Sequence, residues 1–185
     1  MAVDPSSQDD ALDRAREGEA AAFASLVRAH QTRVYSIALR MLSDREQARD
    51  LAQEVFLQLY RKLHGIESAR HLTFWLRKVT THLAIDRLRQ HPQARFAPLD
   101  EGIEMESAVA EEDPLLQRLL RGFLGELPPA PRAVMLLRYQ EDLDPTEIAD
   151  ALDMPVNTVK SHLKRSLAFL KEKLLAAPNR QEEFP

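Results

Sequence analysis

Between Asp144 and Lys173 the chain spells two amphipathic helices separated by a tight break, a pattern that few folds can accommodate. Asp144-Pro145-Thr146-Glu147 supplies an N-cap, a proline at the first helical position and a glutamate at N3, so a helix is expected to begin there and to bury Ile148, Ala149 and Leu152. Asp153-Met154-Pro155 then interrupts it. From Val156 onward Val156, Val159, Leu163, Leu167, Leu170 and Leu174 recur at helical spacing, and at about 100° per residue they gather within roughly an 80° arc. Asn157, Lys160, Ser161, Lys164 and Arg165 project elsewhere. A helix-turn-helix sets the first residues of its second helix against base edges in the major groove, and these polar groups stand where such readout requires them. A merely solvated helix face would carry the same residues; the capped helix and turn that precede it favour DNA.

A formal charge of -4 sits poorly with a nucleic-acid partner until it is divided along the chain. Residues 61–95 carry a net +6, residues 96–131 a net -6 and residues 154–175 a net +4. Phosphate contact is governed by local patches, so two basic blocks flanking an acidic one are compatible with DNA while disfavouring strong nonspecific binding by the free chain. The absence of cysteine excludes disulfides and thiolate zinc sites. The start, Met1-Ala2-Val3-Asp4-Pro5, lacks the regions of a signal peptide, and no apolar run approaches the roughly 18 residues of a membrane span. A cytoplasmic protein without membrane insertion is expected.

Only five glycines and a predominance of helix formers point to an all-α chain. The spacing predicts a first helix over Glu19–Leu42, with Phe23, Leu26, Val27, Val34, Ile37, Ala38 and Met41 inside and a break near His30. A second is expected to begin with a capping box formed by Ser43 and Glu46, with Ala48, Leu51, Ala52, Val55, Phe56, Leu59 and Leu63 as its inner face. A third runs from about His71 to His91, burying Leu72, Leu76, Val79 and Leu83. Residues 96–113, acidic and aperiodic, read as a flexible linker. A further helix starts at Asp113-Pro114 with Leu115, Leu116, Leu119, Leu120, Phe123, Leu124 and Leu127 as its seam, and another lies near Arg132–Gln140. The expected organisation is an N-terminal segment (1–18), two small helical domains (19–95 and 114–177), the linker (96–113) and a tail (178–185).

Three fragments, in this order and spacing, carry a family resemblance: Asp50-Leu51-Ala52-Gln53-Glu54-Val55-Phe56-Leu57, Phe74-Trp75-Leu76 and Thr158-Val159-Lys160-Ser161. Over residues 19–175 the chain resembles a group 4, or extracytoplasmic-function (ECF), sigma factor of the sigma-70 family. The fragments match that family's regions 2.2, 2.3 and 4.2, and region 3 is missing. The resemblance implies a non-catalytic subunit that binds core RNA polymerase, recognises the -10 and -35 elements of promoter DNA and helps open the duplex.

By the same resemblance Arg49, Asp50, Gln53, Glu54, Phe56 and Leu57 form a surface for the clamp helices of the polymerase's largest subunit, and region 4 meets the flap region. Opening a promoter needs aromatic faces and cations to hold unpaired bases, worth about 1–3 kcal/mol per stacked base; Trp75, Arg77, Lys78, Thr81, His82, Arg87 and Arg89 could furnish them, although Trp75 also reads as core. The loop from His64 to Arg70 corresponds to the family's flipped-base pocket. His82 stands where the family usually has asparagine, which bears on the -10 preference. Lys160, Ser161, Lys164 and Arg165 match positions facing the -35 element, with Asn157 and Thr158 near phosphate. The acidic linker is either a soluble tether or, as the resemblance implies, a segment that threads the polymerase's RNA channel. An anti-sigma factor, often membrane-bound, is a further implied partner, and it would hold the chain at the membrane.

Two other readings remain at this point: a helix-turn-helix regulator that binds DNA without polymerase, and a helical adaptor that binds only proteins. An enzyme is not expected. The six histidines never fall at i,i+4 spacing to one another, no phosphate loop or nucleophile motif is present, and no metal or cofactor is implied. His82 and Asp86, one turn apart, read as a surface hydrogen bond.

Overall fold

The computed structural model describes residues 5–90 and 114–177, and within them every regular element is helical. The chain runs α1 (Pro5–Arg16), α2 (Ala20–Leu42), α3 (Arg45–Lys62), a single 3-10 turn at Leu63–Gly65, α4 (Ala69–Gln90), α5 (Pro114–Glu126), α6 (Pro129–Tyr139), α7 (Pro145–Leu152) and α8 (Val156–Ala176). The all-α expectation holds. The linker expected over 96–113, Pro92 and the tail lie outside the described residues.

The first half is built on α2, against which α1, α3 and α4 all pack. Its buried face is Ala22, Leu26, His30, Val34, Ile37, Ala38 and Met41, with Phe23 and Val27 half-covered, and it runs through His30 without the expected break. At its end Ser43 takes the left-handed conformation (φ 57°) and donates its N–H to Leu39 O at 2.8 Å. Asp44, extended, is therefore the cap of α3 and accepts from Gln47 N at 2.9 Å. The expected Ser43–Glu46 box is displaced by one residue, because Ser43 is spent closing the preceding helix.

Sequence reading assigned no element to residues 1–18. The structure places α1 there, with Leu12 and Ala15 buried. Asp9 Oδ1 accepts from Ala69 N at 2.6 Å, so α1 caps the first turn of α4. Gly18, at φ 92°, turns the chain into α2. On α4 the inner face includes Leu72, Leu76, Thr80, Thr81, Ala84, Ile85 and Leu88; Val79 and Leu83, expected inside, are half-buried against it.

In the second half α6 is buried on all sides from Arg132 to Leu137, as befits a helix surrounded by α2, α4, α7 and α8. Arg132 is buried, and its guanidinium donates to Met41 O at 2.6 Å and to Gly125 O, near the carbonyl ends of α2 and α5. Asp144 caps α7 with the complete capping box anticipated from sequence, Glu147 included. On α8 the apolar seam departs from expectation at one place, where Ser166 is buried and Leu167 is 45% exposed. Leu116 of α5 likewise faces outward. The two halves share one hydrophobic cluster reaching from Leu12 to Val159, continuous through α4, α6 and α7.

Candidate protein and nucleic-acid interfaces

The first surface is an open groove between α2 and α3. Phe23, Tyr35 and Phe56 line it, and Leu57 and Tyr60 stand at its edge 57% and 66% exposed. Tyr60 is held edge-on to Phe23, ring centroids 5.2 Å apart. Arg49, Asp50 and Gln53 are exposed on α3, and Arg49 and Gln53 also line the groove. Large apolar side chains in water next to charged ones mark a surface suited to another helix. Glu54, its side chain 43% exposed, also has a partner within the chain. It pairs with Arg87 of α4 at 2.9 Å, while Arg87 also donates to Gln47 O at 2.8 Å. Glu54 and Arg87, expected on two different binding surfaces, thus tie α3 to α4. Sequence reading missed Phe23, Tyr35 and Tyr60 as groove residues, since spacing along one helix does not reveal which neighbour leaves an apolar face uncovered.

The second surface is α4. Trp75 is half-buried against the core. Thr81, expected to face DNA, is fully buried with its hydroxyl donated to Arg77 O at 2.8 Å, so it serves helix packing. Arg89 is exposed beside Asp86 at 3.6 Å. Asp86 therefore does not meet His82, contrary to the sequence reading. Arg77, Lys78 and His82 share one stretch of the helix, and all three reach toward the second half. Arg77 Nε lies 2.7 Å from Glu141 Oε2, and Lys78 Nζ 2.6 Å from Asp153 Oδ1. His82 Nε2 lies 3.0 Å from Ala151 O. At the preceding turn Ile66 is buried, Ser68 Oγ accepts from His71 N at 3.1 Å and His71 Nδ1 accepts from Glu67 N at 3.2 Å.

The third surface is the start of α8. Asn157, Lys160, Ser161, Lys164 and Arg165 are exposed and Thr158 is half-buried. Ser161 Oγ donates to Asn157 O at 2.8 Å. Burial, and then the nearby Arg165, hold the His162 imidazole below its usual value. The positive charge of this face therefore belongs to Lys160, Lys164 and Arg165, none of which has an acidic partner among the described residues. Asp144, by contrast, is kept well ionised by the backbone N–H groups of Glu147 and Thr146, which fixes α7 as the brace beneath α8. Next to these elements Leu167 lines an apolar hollow with Leu39, Leu120, Leu124 and Tyr139.

Residues 26–93 match the family Sigma-70 region 2, and residues 117–170 match Sigma-70, region 4. The RNA polymerase sigma-E factor of Streptomyces coelicolor is 32% identical over 166 residues, which is 86% of this chain and 89% of that protein. The ECF RNA polymerase sigma factor SigW of Bacillus subtilis is 28% identical over 176 residues, 88% of this chain and 94% of the relative. Among solved structures, CnrH in complex with the cytosolic domain of CnrY has the same fold, with a TM-score of 0.68, 21% identity and coverage of 93% of this chain and 99% of that one. The groups that match region 2 and region 4 are those that form the α2–α3 groove, α4 and the α7–α8 pair, and the chain belongs to the ECF sigma factors of the sigma-70 family, which direct transcription initiation.

Proposed function

We propose that the chain docks on core RNA polymerase through the α2–α3 groove, meets the -10 element through α4 and reads the -35 element through α8. Arg49, Asp50, Gln53, Phe56, Leu57 and Tyr60 take the clamp helices of the largest subunit. The observation that carries the reading is the first half of α8, where three exposed cations without acidic partners among the described residues stand on the second helix of a capped helix-turn-helix. Lys160, Lys164 and Arg165 face base edges there, with Asn157 and Thr158 at phosphate. Arg165 offers the planar fork suited to guanine and Lys160 a softer point charge. The apolar hollow beside Leu167 and Tyr139 gives region 4 a contact for the flap region.

The protein acts without catalysis, supplying position and strand separation to an enzyme that makes RNA. It works in the cytoplasm, and an anti-sigma factor restrains it; among the described residues no helix is long and apolar enough to cross a membrane. CnrH, which shares the fold, is bound by the cytosolic domain of CnrY, which supports a restraint of this type. The test is run-off transcription by core polymerase on a promoter library, with and without the chain. New, discrete start sites that need both components are expected. Identical transcript profiles in the two arms would overturn the reading.

A further inference from the structure

The turn that leads into α4 is closed mostly by its own groups. Ile66 N donates to Leu63 O at 3.1 Å, His71 N to Ser68 Oγ at 3.1 Å and Glu67 N to His71 Nδ1 at 3.2 Å. Ala69 is different. Its N–H belongs to the first turn of α4, where amides have no partner within the helix, and the acceptor that takes it at 2.6 Å is Asp9 Oδ1 of α1, 60 residues earlier in the chain. The carboxylate also stands at the positive pole of α4. Local bonds thus set the shape of the turn, and Asp9 sets where the turn stands on the bundle. Asp9 is itself held firmly. Leu12, one helical turn away, and Ala15 are buried, Gly18 turns the chain at φ 92°, and Arg14 pairs with Glu19 across that bend at 2.6 Å.

The same segment has two faces. Leu63, Ile66 and Ala69, three residues apart, are buried, while His64, Gly65, Glu67 and Arg70 are exposed. The buried three seat the turn on the first bundle, and the exposed four move only as that seat moves. Groups that discriminate a bound partner must be held to within about 0.5 Å by the residues behind them. Loss of the Asp9 acceptor would leave the Ala69 N–H unpaired and loosen the start of α4. We infer that Asp9 is a positioning residue for base selection at the -10 element: through Ala69 it fixes the turn and the Arg70 end of α4 against the unpaired bases. The residue lies ahead of the stretch 26–93 that matches region 2, so selectivity is set partly by an element outside that match. The inference rests on the reading of α4 as the -10 surface.

The test uses holoenzyme assembled from the full chain on a promoter library randomised across the -10 and -35 elements, with the transcripts sequenced. Asp9→Ala should reduce the preference for the favoured base at one or two adjacent -10 positions by about 3- to 10-fold, the range that a lost helix cap sets, and leave the -35 preference as in the wild type. Asp9→Asn keeps an acceptor and should restore most of the selectivity. Asp44→Ala, which removes the cap at the far end of α3 from the turn, is the control for lost stability: it should lower the denaturation midpoint and alter neither preference. In the free Asp9→Ala chain, amide hydrogen exchange across residues 63–72 should accelerate. An unchanged -10 preference in Asp9→Ala would overturn the inference, as would an equal loss at both elements, in Asp44→Ala, or in Asp9→Asn. Arg70→Ala separately tests the α4 reading. If it changes the -10 preference while Asp9→Ala does not, the positioning role alone falls; if neither changes it, both fall. Circular dichroism verifies that each variant is folded.

Discussion

His30 is a titratable group enclosed by the first bundle, 3% exposed, with no hydrogen-bond partner for its Nε2. Burial, and then the cations Arg33 and Arg77, hold its folded-state value below the ordinary 6.5. The unfolded chain therefore takes up a proton that the folded chain resists, so stability falls as pH drops below about 6.5 and recovers above it. His30→Leu should flatten that part of the profile of denaturation midpoint against pH; an unaltered slope would assign it to other groups. On α8 the proposed readout of the -35 element is testable at the same scale. Arg165→Ala should weaken holoenzyme binding to a cognate promoter by about 1–3 kcal/mol and relax specificity at one position. A loss that is equal across promoter sequences would move Arg165 from base to phosphate.

At the scale of elements, the join between α2 and α3 makes a clean prediction about which residue is the cap. Asp44→Ala should cost about 1 kcal/mol in denaturant unfolding. Ser43→Gly, at a left-handed position, should be neutral or stabilising; the reverse ranking would restore Ser43 as cap. The Asp44 carboxyl, held below its usual value by the Gln47 amide, adds stability present above the ordinary carboxylate range and lost as acid protonates it. The edge of the α2–α3 groove is testable in the same way. Leu57 contributes little to the fold, so Leu57→Ser should change stability by less than about 0.5 kcal/mol. Its affinity for core polymerase, measured by titration, should fall by at least about 1 kcal/mol if the groove is the docking face.

Elements were legible where local chemistry decides them. Asp144-Pro145 and Glu147 placed α7 to the residue, and Pro114 and the break at Pro155 placed the starts of α5 and α8. The capping of α3 slipped by one because two adjacent side chains can both cap, and the backbone twist of Ser43 that chooses between them is not written in residue type. α1 was passed over although Asp4-Pro5 repeats the start signal read at Asp144-Pro145, and Leu12 and Ala15 give it an inner face. What no local pattern could reveal is pairing at long range. The partners of Arg77, Lys78 and Arg87 lie 64, 75 and 33 residues away in the chain. The surfaces could be proposed from sequence on each element, but not which of their charges already answer one another.

For the whole molecule, the two halves that match separate family regions nevertheless share a single apolar interior. α6 draws its cover from α2 and α4 on one side and from α7 and α8 on the other. A fragment of residues 114–177 should therefore keep its helices by circular dichroism yet self-associate in sedimentation, because it lacks α2 and α4. A monodisperse fragment would show that the shared interior contributes little. The ion pair of Lys173 with Glu126 at 2.5 Å, and the stacking of Lys173 on Phe123 and Phe169, bind α5 to α8 within that fragment and should persist.

Arg132 gives this sharing a mechanical consequence. Its buried guanidinium grips a carbonyl of α2 as well as one of α5. Any motion that draws the halves apart must break the Arg132 hydrogen bond to Met41 O, a buried charge-assisted contact that resists their separation.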